Sequence, residues 1–172
     1  MASRLSKVSF GEDLLPLVKG FDCGPDEWDR EVAEWIQQPS GSGGALDELR
    51  SSDQLRVWLH FDSATQLVGY SSLGQTNWPQ MLKLSIIPNV AVAKDHQGHG
   101  YFREIMGHLI DAAQKEAQRP ESPRLPIIVL YVDPRNTKAI TIYRKYNFQT
   151  TTRNYTDRVT GKVYEGMLLR IG

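Results

Sequence analysis

The residues of this chain best suited to chemistry form a loop with two glycines, between an apolar strand and an amphipathic helix. The stretch covers residues 90–103 and reads VAVAKDHQGHGYFR. Gly98 and Gly100 let backbone N–H groups converge, and the helix start adds unpaired donors and the positive end of its dipole. A phosphate or pyrophosphate suits such a loop. From the glycines alone, a strand-to-helix turn without a ligand is an equally good interpretation.

Other sites built from these residue types fit less well. A Walker loop needs GxxxxGKS or GxxxxGKT, but no Lys-Ser or Lys-Thr follows Gly100. The dinucleotide fingerprint GxGxxG fails because residue 103 is arginine. His96, His99 and His108 suggest a metal centre, but no cysteine or carboxylate at metal-ligand spacing completes a set. We therefore expect no functional metal.

A second segment, residues 136–148, reads NTKAITIYRKYNF and has the pattern of an amphipathic helix. Asn136 is a good N-cap for this helix. Tyr143 follows within the helix, and a lone tyrosine in such a place is more often a packing residue than a catalyst. By itself, this segment predicts a capped helix and no chemistry.

Taken together, the two segments resemble the GNAT superfamily of N-acetyltransferases. The family's pyrophosphate loop, Gln/Arg-x-x-Gly-x-Gly/Ala, is similar to residues 97–102, with Phe102 where Gly or Ala is usual. The family's pattern Asn-x-x-Ala-x-x-x-Tyr-x-x-x-Gly-Phe is similar to residues 136–148, with Asn147 in place of Gly. The order of the two patterns, separated by a helix and a strand, agrees with the family.

The resemblance implies transfer of an acetyl group from acetyl-coenzyme A to a primary amine within a ternary complex. It implies that Tyr143 protonates the thiolate leaving group. The backbone of Val90 and Val92 pairs with the pantetheine arm, and loop donors hold the pyrophosphate. Arg135 is a further candidate neighbour of the phosphates. The implied coenzyme-binding residues are Val90, Ala91, Val92, Gln97, Gly98, His99, Gly100, Tyr101, Phe102, Arg103, Asn136 and Lys138.

No general base is evident. Many family members carry a glutamate on one of two strands, but the corresponding residues 84–92 and 127–132 contain no Asp or Glu. The first strand offers Pro88 and Asn89, and the second offers Tyr131. A site without a base favours an acceptor amine of low pKa, with Tyr131 or water relaying the proton. Glu12 and Glu27 remain alternatives.

The hydrophobic patterns predict an α/β or α+β domain. The resemblance implies a mixed, mostly antiparallel sheet of about seven strands, flanked by helices, with splayed parallel central strands. Pro88 supports the splay, because proline in a central strand marks a bulge. Strands are predicted at residues 5–10, 55–61, 66–73, 81–93, 127–132, 148–155 and 163–171, and helices at 26–36, 46–51, 101–118 and 137–146.

Composition and charge narrow the function classes. The 172 residues are 40% hydrophobic and 23% charged, which predicts one globular domain over residues 1–172. The net charge of zero disfavours nucleic acid as the main partner. No apolar run suggests a signal peptide or a membrane span, and Cys23 is the single cysteine. We expect a cytoplasmic protein with no membrane partner, and the oligomeric state stays open, a homodimer included.

Two shorter resemblances bear on the acceptor and compete with each other. Residues 153–167 resemble the closing hairpin of ribosomal-protein N-terminal acetyltransferases. Residues 21–24 resemble the acetyltransferase toxins that modify aminoacyl-tRNA. A non-catalytic alternative also stays open, in which the domain binds acyl-coenzyme A as a sensor. The retention of Tyr143 argues against that alternative.

Overall fold

The computed structural model describes residues 4–78, 82–121 and 123–172. The chain forms two compact units: the first contains Met1–Gly74 and Asn89–Leu109, and the second contains Gln75–Pro88 and Ile110–Gly172. The helices are α1 (Leu15–Val18), α2 (Glu27–Gln37), α3 (Ala45–Ser51), α4 (Tyr101–Ala117) and α5 (Thr137–Lys145). The strands are β1 (Ser6–Ser9), β2 (Arg56–Phe61), β3 (Leu67–Trp78), β4 (Leu82–Ile86), β5 (Val90–Val92), β6 (Ile127–Val132), β7 (Gln149–Thr156) and β8 (Val163–Arg170).

These strands confirm the predicted mixed, mostly antiparallel architecture. Their order is β1-β2-β3-β4-β6-β8-β7, with β5 paired to β3, and the chain passes from the first unit to the second within β3. Of the described pairs with a register, only β4–β6 is parallel. No helix among residues 4–78, 82–121 and 123–172 is both long and apolar enough to cross a bilayer.

The predicted strand at residues 81–93 is two strands, because the chain changes hydrogen-bond partners at Pro88. The Ile87 N–H donates to the Val129 carbonyl at 3.0 Å, within the second unit. Two residues later, the Asn89 carbonyl accepts from the Ser72 N–H at 2.9 Å, within the first unit. Proline has no N–H, so it cannot continue a ladder between the two positions. This interruption gives eight strands instead of about seven.

The core of the first unit lies on one face of β2, β3 and β5, under α1, α2 and α3. Tyr70 is fully buried there, and its hydroxyl donates to the Val32 carbonyl. The Phe21 ring meets Tyr70 edge-on at 5.4 Å, and Trp35 stacks at 6.0 Å. The N-terminus of α2 is capped, since the Asp29 carboxylate accepts from the Asp26 N–H at 3.3 Å. The helix predicted at residues 26–36 is confirmed.

A polar cluster lies between this sheet and the first half of α4. His60 is 2% exposed, and its Nε2 lies 2.8 Å from Ser71 Oγ. The His108 ring packs 5.8 Å from the His60 ring, and its Nδ1 lies 2.7 Å from Lys7 Nζ. Burial, with electrostatic interactions with His108 and Lys7, lowers the pKa of His60 to about 3. His60 is therefore neutral in the folded protein near neutral pH.

Acidification from pH 7 to pH 5 is expected to lower the free energy of unfolding through His60. Its pKa rises from about 3 when folded to about 6.5 when unfolded, so only the unfolded chain binds a proton between these values. Stability is then complete above pH ~6.5 and falls by at most about 1.4 kcal/mol per pH unit below it. Urea unfolding of the wild type and His60→Gln at both pH values tests this. An equal decrease in the free energy of unfolding of both proteins between pH 7 and pH 5 would contradict this prediction.

In the second unit, β6 has the burial expected of a central strand. Ile128, Val129 and Leu130 are at most 2% exposed, and β6 pairs with β4 on one side and β8 on the other. The hairpin of β7 and β8 closes through the Asp157 carboxylate, which accepts from the N–H groups of Val159 and Thr160 at 2.8 and 2.7 Å. The predicted hairpin is confirmed.

Candidate active site

One edge of β5 pairs with β3, and the backbone groups on the other edge point away from β3. The Ala93 N–H donates to the Val68 carbonyl at 2.7 Å, and the Asn89 carbonyl accepts from Ser72, so these two residues face β3. Backbone groups alternate between the edges of a strand, so those of Val90 and Val92 point to the opposite edge. The backbone of Ala91 faces β3, and its side chain is buried.

A short turn and one side chain shape the loop that follows β5. Residues 94–96 form a 3-10 turn, and the side-chain amide of Gln97 then points back toward β5. Gln97 Nε2 donates to the Val92 carbonyl at 3.1 Å and to the Cys23 carbonyl at 2.7 Å. Gln97 therefore ties the loop to β5 and to the segment before α2. This contact gives Gln97 a structural role in addition to the coenzyme contact that the family resemblance implies.

The glycine loop combines left-handed backbone with exposed donors. Gly98 and Gly100 have φ values of +80° and +82°, a region that side chains rarely adopt. No described residue is recorded as accepting a hydrogen bond from the N–H groups of Gly98, His99 and Gly100. The first turn of α4 starts at Tyr101 and places the positive end of the helix dipole beside the loop. Within the first unit, the loop therefore has the features expected of an anion site.

The two residues after Tyr101 differ in what they can offer such a site. Phe102 is half-buried, although the family pattern has a small residue there. The Arg103 N–H donates to the Gly100 carbonyl at 3.1 Å, so only its exposed guanidinium remains for a phosphate. The His96 and His99 rings both lie about 6 Å from the Tyr101 ring, at 6.1 and 6.2 Å.

Sequence reasoning missed Arg4, which precedes β1. Its Nη2 donates to the His99 carbonyl at 3.0 Å, and its Nε lies 2.5 Å from Glu104 Oε1. Its guanidinium carbon is 4.9 Å from the centre of the Tyr101 ring. A single arginine almost a hundred residues from the loop carries no sequence signal that would associate the two.

Cys23 lies beside the loop in an unreactive setting. The residue is 6% exposed, and its Sγ lies 3.2 Å from the Asp29 carbonyl. Burial, with the negative charges of Asp29 and Asp22, raises the pKa of the Cys23 thiol to about 12. Because the thiolate is the nucleophile, this thiol is inert near neutral pH.

The second unit contains α5, whose two ends correspond to the family pattern around Asn136 and Asn147. The Asn136 side chain accepts from the Ala139 N–H at 3.0 Å, which is the predicted N-cap. Asn147, where the family pattern has Gly, has a φ of +66°. Asparagine tolerates this left-handed conformation, so it can end the helix as glycine does. Lys138 is exposed in the first turn of α5.

Tyr143 packs between the helix and the strand that follows. Its ring meets Phe148 edge-on at 5.7 Å, and its carbonyl accepts from the N–H groups of Tyr146 and Phe148 at 3.0 and 3.1 Å. Burial raises the pKa of Tyr143 to about 12. The phenol therefore keeps its proton at neutral pH, as a general acid must.

Tyr131 belongs to an aromatic row across three strands. It lies opposite Gly166 in β8, and its ring reaches Tyr155 in β7 at 5.6 Å. Tyr155 lies 6.0 Å from Tyr164. A Cβ at Gly166 would lie 2.2 Å from the Arg153 carbonyl, so only glycine fits under the bulged strand there. Gly166 therefore lets β7 and β8 approach closely beside the row.

Asp133 follows β6 directly, but it is a poor base. It is 7% exposed, and Arg135 Nη2 lies 2.6 Å from its Oδ2. The hydrogen bonds and charge of Arg135 lower the pKa of Asp133. A carboxylate held in its ionised form by a partner takes up a proton less readily. The pairing also occupies Arg135, the candidate phosphate neighbour.

Glu12, a proposed alternative base, is engaged elsewhere, since its carboxylate lies 2.8 Å from Arg50 Nη2. Glu27 stands in the first turn of α2 and is half-buried. No group of three or more His, Cys, Asp or Glu side chains within the described ranges could hold a metal ion.

A family model described as acetyltransferase (GNAT) domain matches residues 17–149. No curated protein matches the chain significantly. Among solved structures, a spermidine/spermine N-acetyltransferase, SpeG from Vibrio cholerae in complex with manganese ions, is similar with a TM-score of 0.62 and 18% identity. The match covers 97% of this chain and 92% of SpeG.

Two further solved structures share the fold at low identity. AtaTR bound with acetyl-coenzyme A has a TM-score of 0.68 and 14% identity, and covers 97% of this chain and 93% of that one. The KacTA–DNA complex has a TM-score of 0.62 and 17% identity, and covers 96% of this chain and 92% of that one. At these identities the likeness shows the fold alone.

Proposed function

This chain is an acyltransferase of the GNAT acetyltransferase family, and from that we propose that it transfers an acetyl group from acetyl-coenzyme A to a primary amine. The transfer is direct, within a ternary complex. The acceptor is the α-amine of a peptide or protein, or a small-molecule amine. We propose that residues 1–172 act as one catalytic domain.

The observation that carries this proposal is the exposed loop of Gly98, His99 and Gly100 at the start of α4, whose N–H groups have no acceptor among the described residues. Acetyl-coenzyme A presents a pyrophosphate, which suits free backbone donors beside a helix dipole. Further support comes from β5, where the backbone of Val90 and Val92 points away from β3 and can pair with the pantetheine arm. The solved AtaTR structure that shares the fold has acetyl-coenzyme A bound.

The proposed reaction needs one nucleophile and two proton movements. The neutral acceptor nitrogen attacks the acetyl carbonyl carbon, the nitrogen–carbon bond forms, and the carbon–sulfur bond breaks. The coenzyme thiolate takes the phenolic proton of Tyr143, which the pKa of about 12 keeps in place until then. The excess proton on the nitrogen leaves through Tyr131 or water. Tyr143 regains a proton from solvent before the next turnover.

Replacing Gly100 by Glu is expected to abolish the stabilisation that acetyl-coenzyme A provides. At 100 times its Kd, acetyl-coenzyme A should stabilise the wild type by about 2.7 kcal/mol, visible as a higher melting temperature. The introduced carboxylate repels the phosphates. Gly100→Gln is the matched control, because it imposes the same backbone strain at φ +82° without a charge.

The two variants should therefore differ in their ligand-induced shift, and not only in their own stability. A shift in Gly100→Glu as large as in Gly100→Gln would contradict a pyrophosphate at this loop. Isothermal titration with acetyl-coenzyme A gives the corresponding change in Kd independently of melting.

A thiol-release assay with a panel of amines distinguishes catalysis from ligand sensing. The panel includes a peptide with a free N-terminus, a lysine peptide, a polyamine and an aminoacyl-tRNA. Release of coenzyme A that depends on an acceptor supports the enzyme. Binding of acetyl-coenzyme A without release with any acceptor supports the sensor alternative. The preferred acceptor separates the peptide from the toxin-type alternative.

A further inference from the structure

Arg4, just before β1, contacts the glycine loop. Arg4 Nη2 donates to the His99 carbonyl at 3.0 Å. Its Nε lies 2.5 Å from Glu104 Oε1, and its own N–H donates to Glu104 Oε2 at 2.9 Å. The guanidinium also lies over the Tyr101 ring. Three contacts of the guanidinium and one of the backbone N–H therefore hold Arg4 against the loop and the first turn of α4.

The contact with His99 determines which way the next N–H points. In a planar trans peptide, the carbonyl and the following N–H point in opposite directions. Because the His99 carbonyl faces Arg4, the Gly100 N–H points away from Arg4. The two glycines have the freest backbone of the loop, so a restraint on the peptide between them limits the conformations that the loop must lose when it binds a phosphate.

The contact with Glu104 affects the charge that an anion meets. A carboxylate in the first turn of α4 suits the helix dipole but repels a bound phosphate. Arg4 places a positive charge beside it and engages both carboxylate oxygens. The exposed fractions of the two side chains, 57% for Arg4 and 22% for Glu104, mean that solvent screens the pair in part.

From these contacts we propose that Arg4 is a positioning residue of the coenzyme site: it orients the peptide between His99 and Gly100 toward the coenzyme phosphates and offsets the charge of Glu104. This inference rests on the proposed function. Arg4 lies outside the family match at residues 17–149, so the family pattern does not predict it. Arg4, which lies two residues before β1, is then part of the coenzyme site.

The test compares two acetyl donors. Arg4→Ala should raise the KM and Kd for acetyl-coenzyme A by about 10-fold, the lower end of what a charged hydrogen bond contributes because the site is partly exposed. The kcat should stay near that of the wild type, since Arg4 touches no reacting atom. S-acetyl-pantetheine lacks the phosphates, so its kcat/KM should not change. A merely structural role would lower kcat/KM for both donors.

Three further variants test the two roles of Arg4 separately. Arg158→Ala removes an exposed arginine from the β7–β8 turn and should behave as the wild type. Arg4→Lys keeps the charge that offsets Glu104 but cannot bind His99 and Glu104 with one planar fork, so its KM should fall between those of Arg4→Ala and the wild type. Arg4→Ala combined with Glu104→Gln should recover part of the affinity, because the repelling charge is gone.

Several results would overturn the inference. These are an unchanged KM for acetyl-coenzyme A in Arg4→Ala, an equal loss with S-acetyl-pantetheine, or full wild-type behaviour of Arg4→Lys. These results count against the inference only if the wild-type protein binds acetyl-coenzyme A. Failure of the wild type to bind acetyl-coenzyme A at all would instead contradict the proposed function. Melting of the ligand-free variants verifies that each is folded.

Discussion

Tyr143→Phe is expected to lower kcat by about 10²–10⁴-fold while the Kd for acetyl-coenzyme A changes little. The substitution keeps the ring that packs on Phe148 and removes only the hydroxyl. Without that hydroxyl, the coenzyme must leave as an unprotonated thiolate or take its proton from water. The measurements are steady-state kinetics and isothermal titration of the same preparations.

The matched control is Tyr155→Phe, which removes a hydroxyl from an exposed tyrosine in β7. It should leave kcat close to that of the wild type. The pH profile adds a second readout, since a phenol with a pKa of about 12 should cause no loss of rate below pH ~11. Wild-type turnover of Tyr143→Phe would show that this residue only packs.

The second large effect concerns the acceptor: an α-amine should be preferred to a lysine side chain. Residues 84–92 and 127–132 contain no carboxylate, and the pKa of Asp133 is lowered by Arg135. The enzyme must then take the neutral amine from solution or through water. At pH 7 the neutral fraction of an α-amine exceeds that of lysine by about 200–500-fold, and kcat/KM should differ by a comparable factor.

Two peptides of the same sequence measure this preference. One has a free N-terminus, and the other is blocked there and carries a lysine. With the first, kcat/KM should rise with pH until the pKa of the α-amine, about 8, is reached. Contacts in the acceptor site can change the size of this factor, but the α-amine should still be the preferred acceptor. A preference for lysine, with a rate already constant below pH 7, would reveal a base and contradict the prediction.

The sequence predicted the elements that periodicity and local end signals determine. The apolar run of β6 and the N-cap at Asn136 are both confirmed. The break at Pro88 was predicted only as a bulge, because the sequence does not show which partners the chain pairs with on each side. The hydrogen bonds within each unit show these partners: Ile87 bonds to Val129 before Pro88, and Asn89 bonds to Ser72 after it.

The parts of the candidate site that were missed depend on contacts distant in the chain. Arg4 precedes His99 by 95 residues and Glu104 by 100 residues in the sequence, and no residue pattern connects them. The aromatic row was also not predicted, because Tyr131 in β6 and Tyr155 in β7 are brought together only by the pairing of both strands with β8. Tertiary register, and not local propensity, brings such residues together.

The setting of Cys23 makes coenzyme A release directly measurable. A dye that reacts with thiolates would detect the free thiol of the product, and the protein would add no background, because its single thiol is buried with a pKa of about 12. Turnover can thus be recorded continuously with native protein and no cysteine replacement. Once the chain unfolds, Cys23 becomes reactive, so the same dye counts unfolded molecules in a control sample without acetyl-coenzyme A.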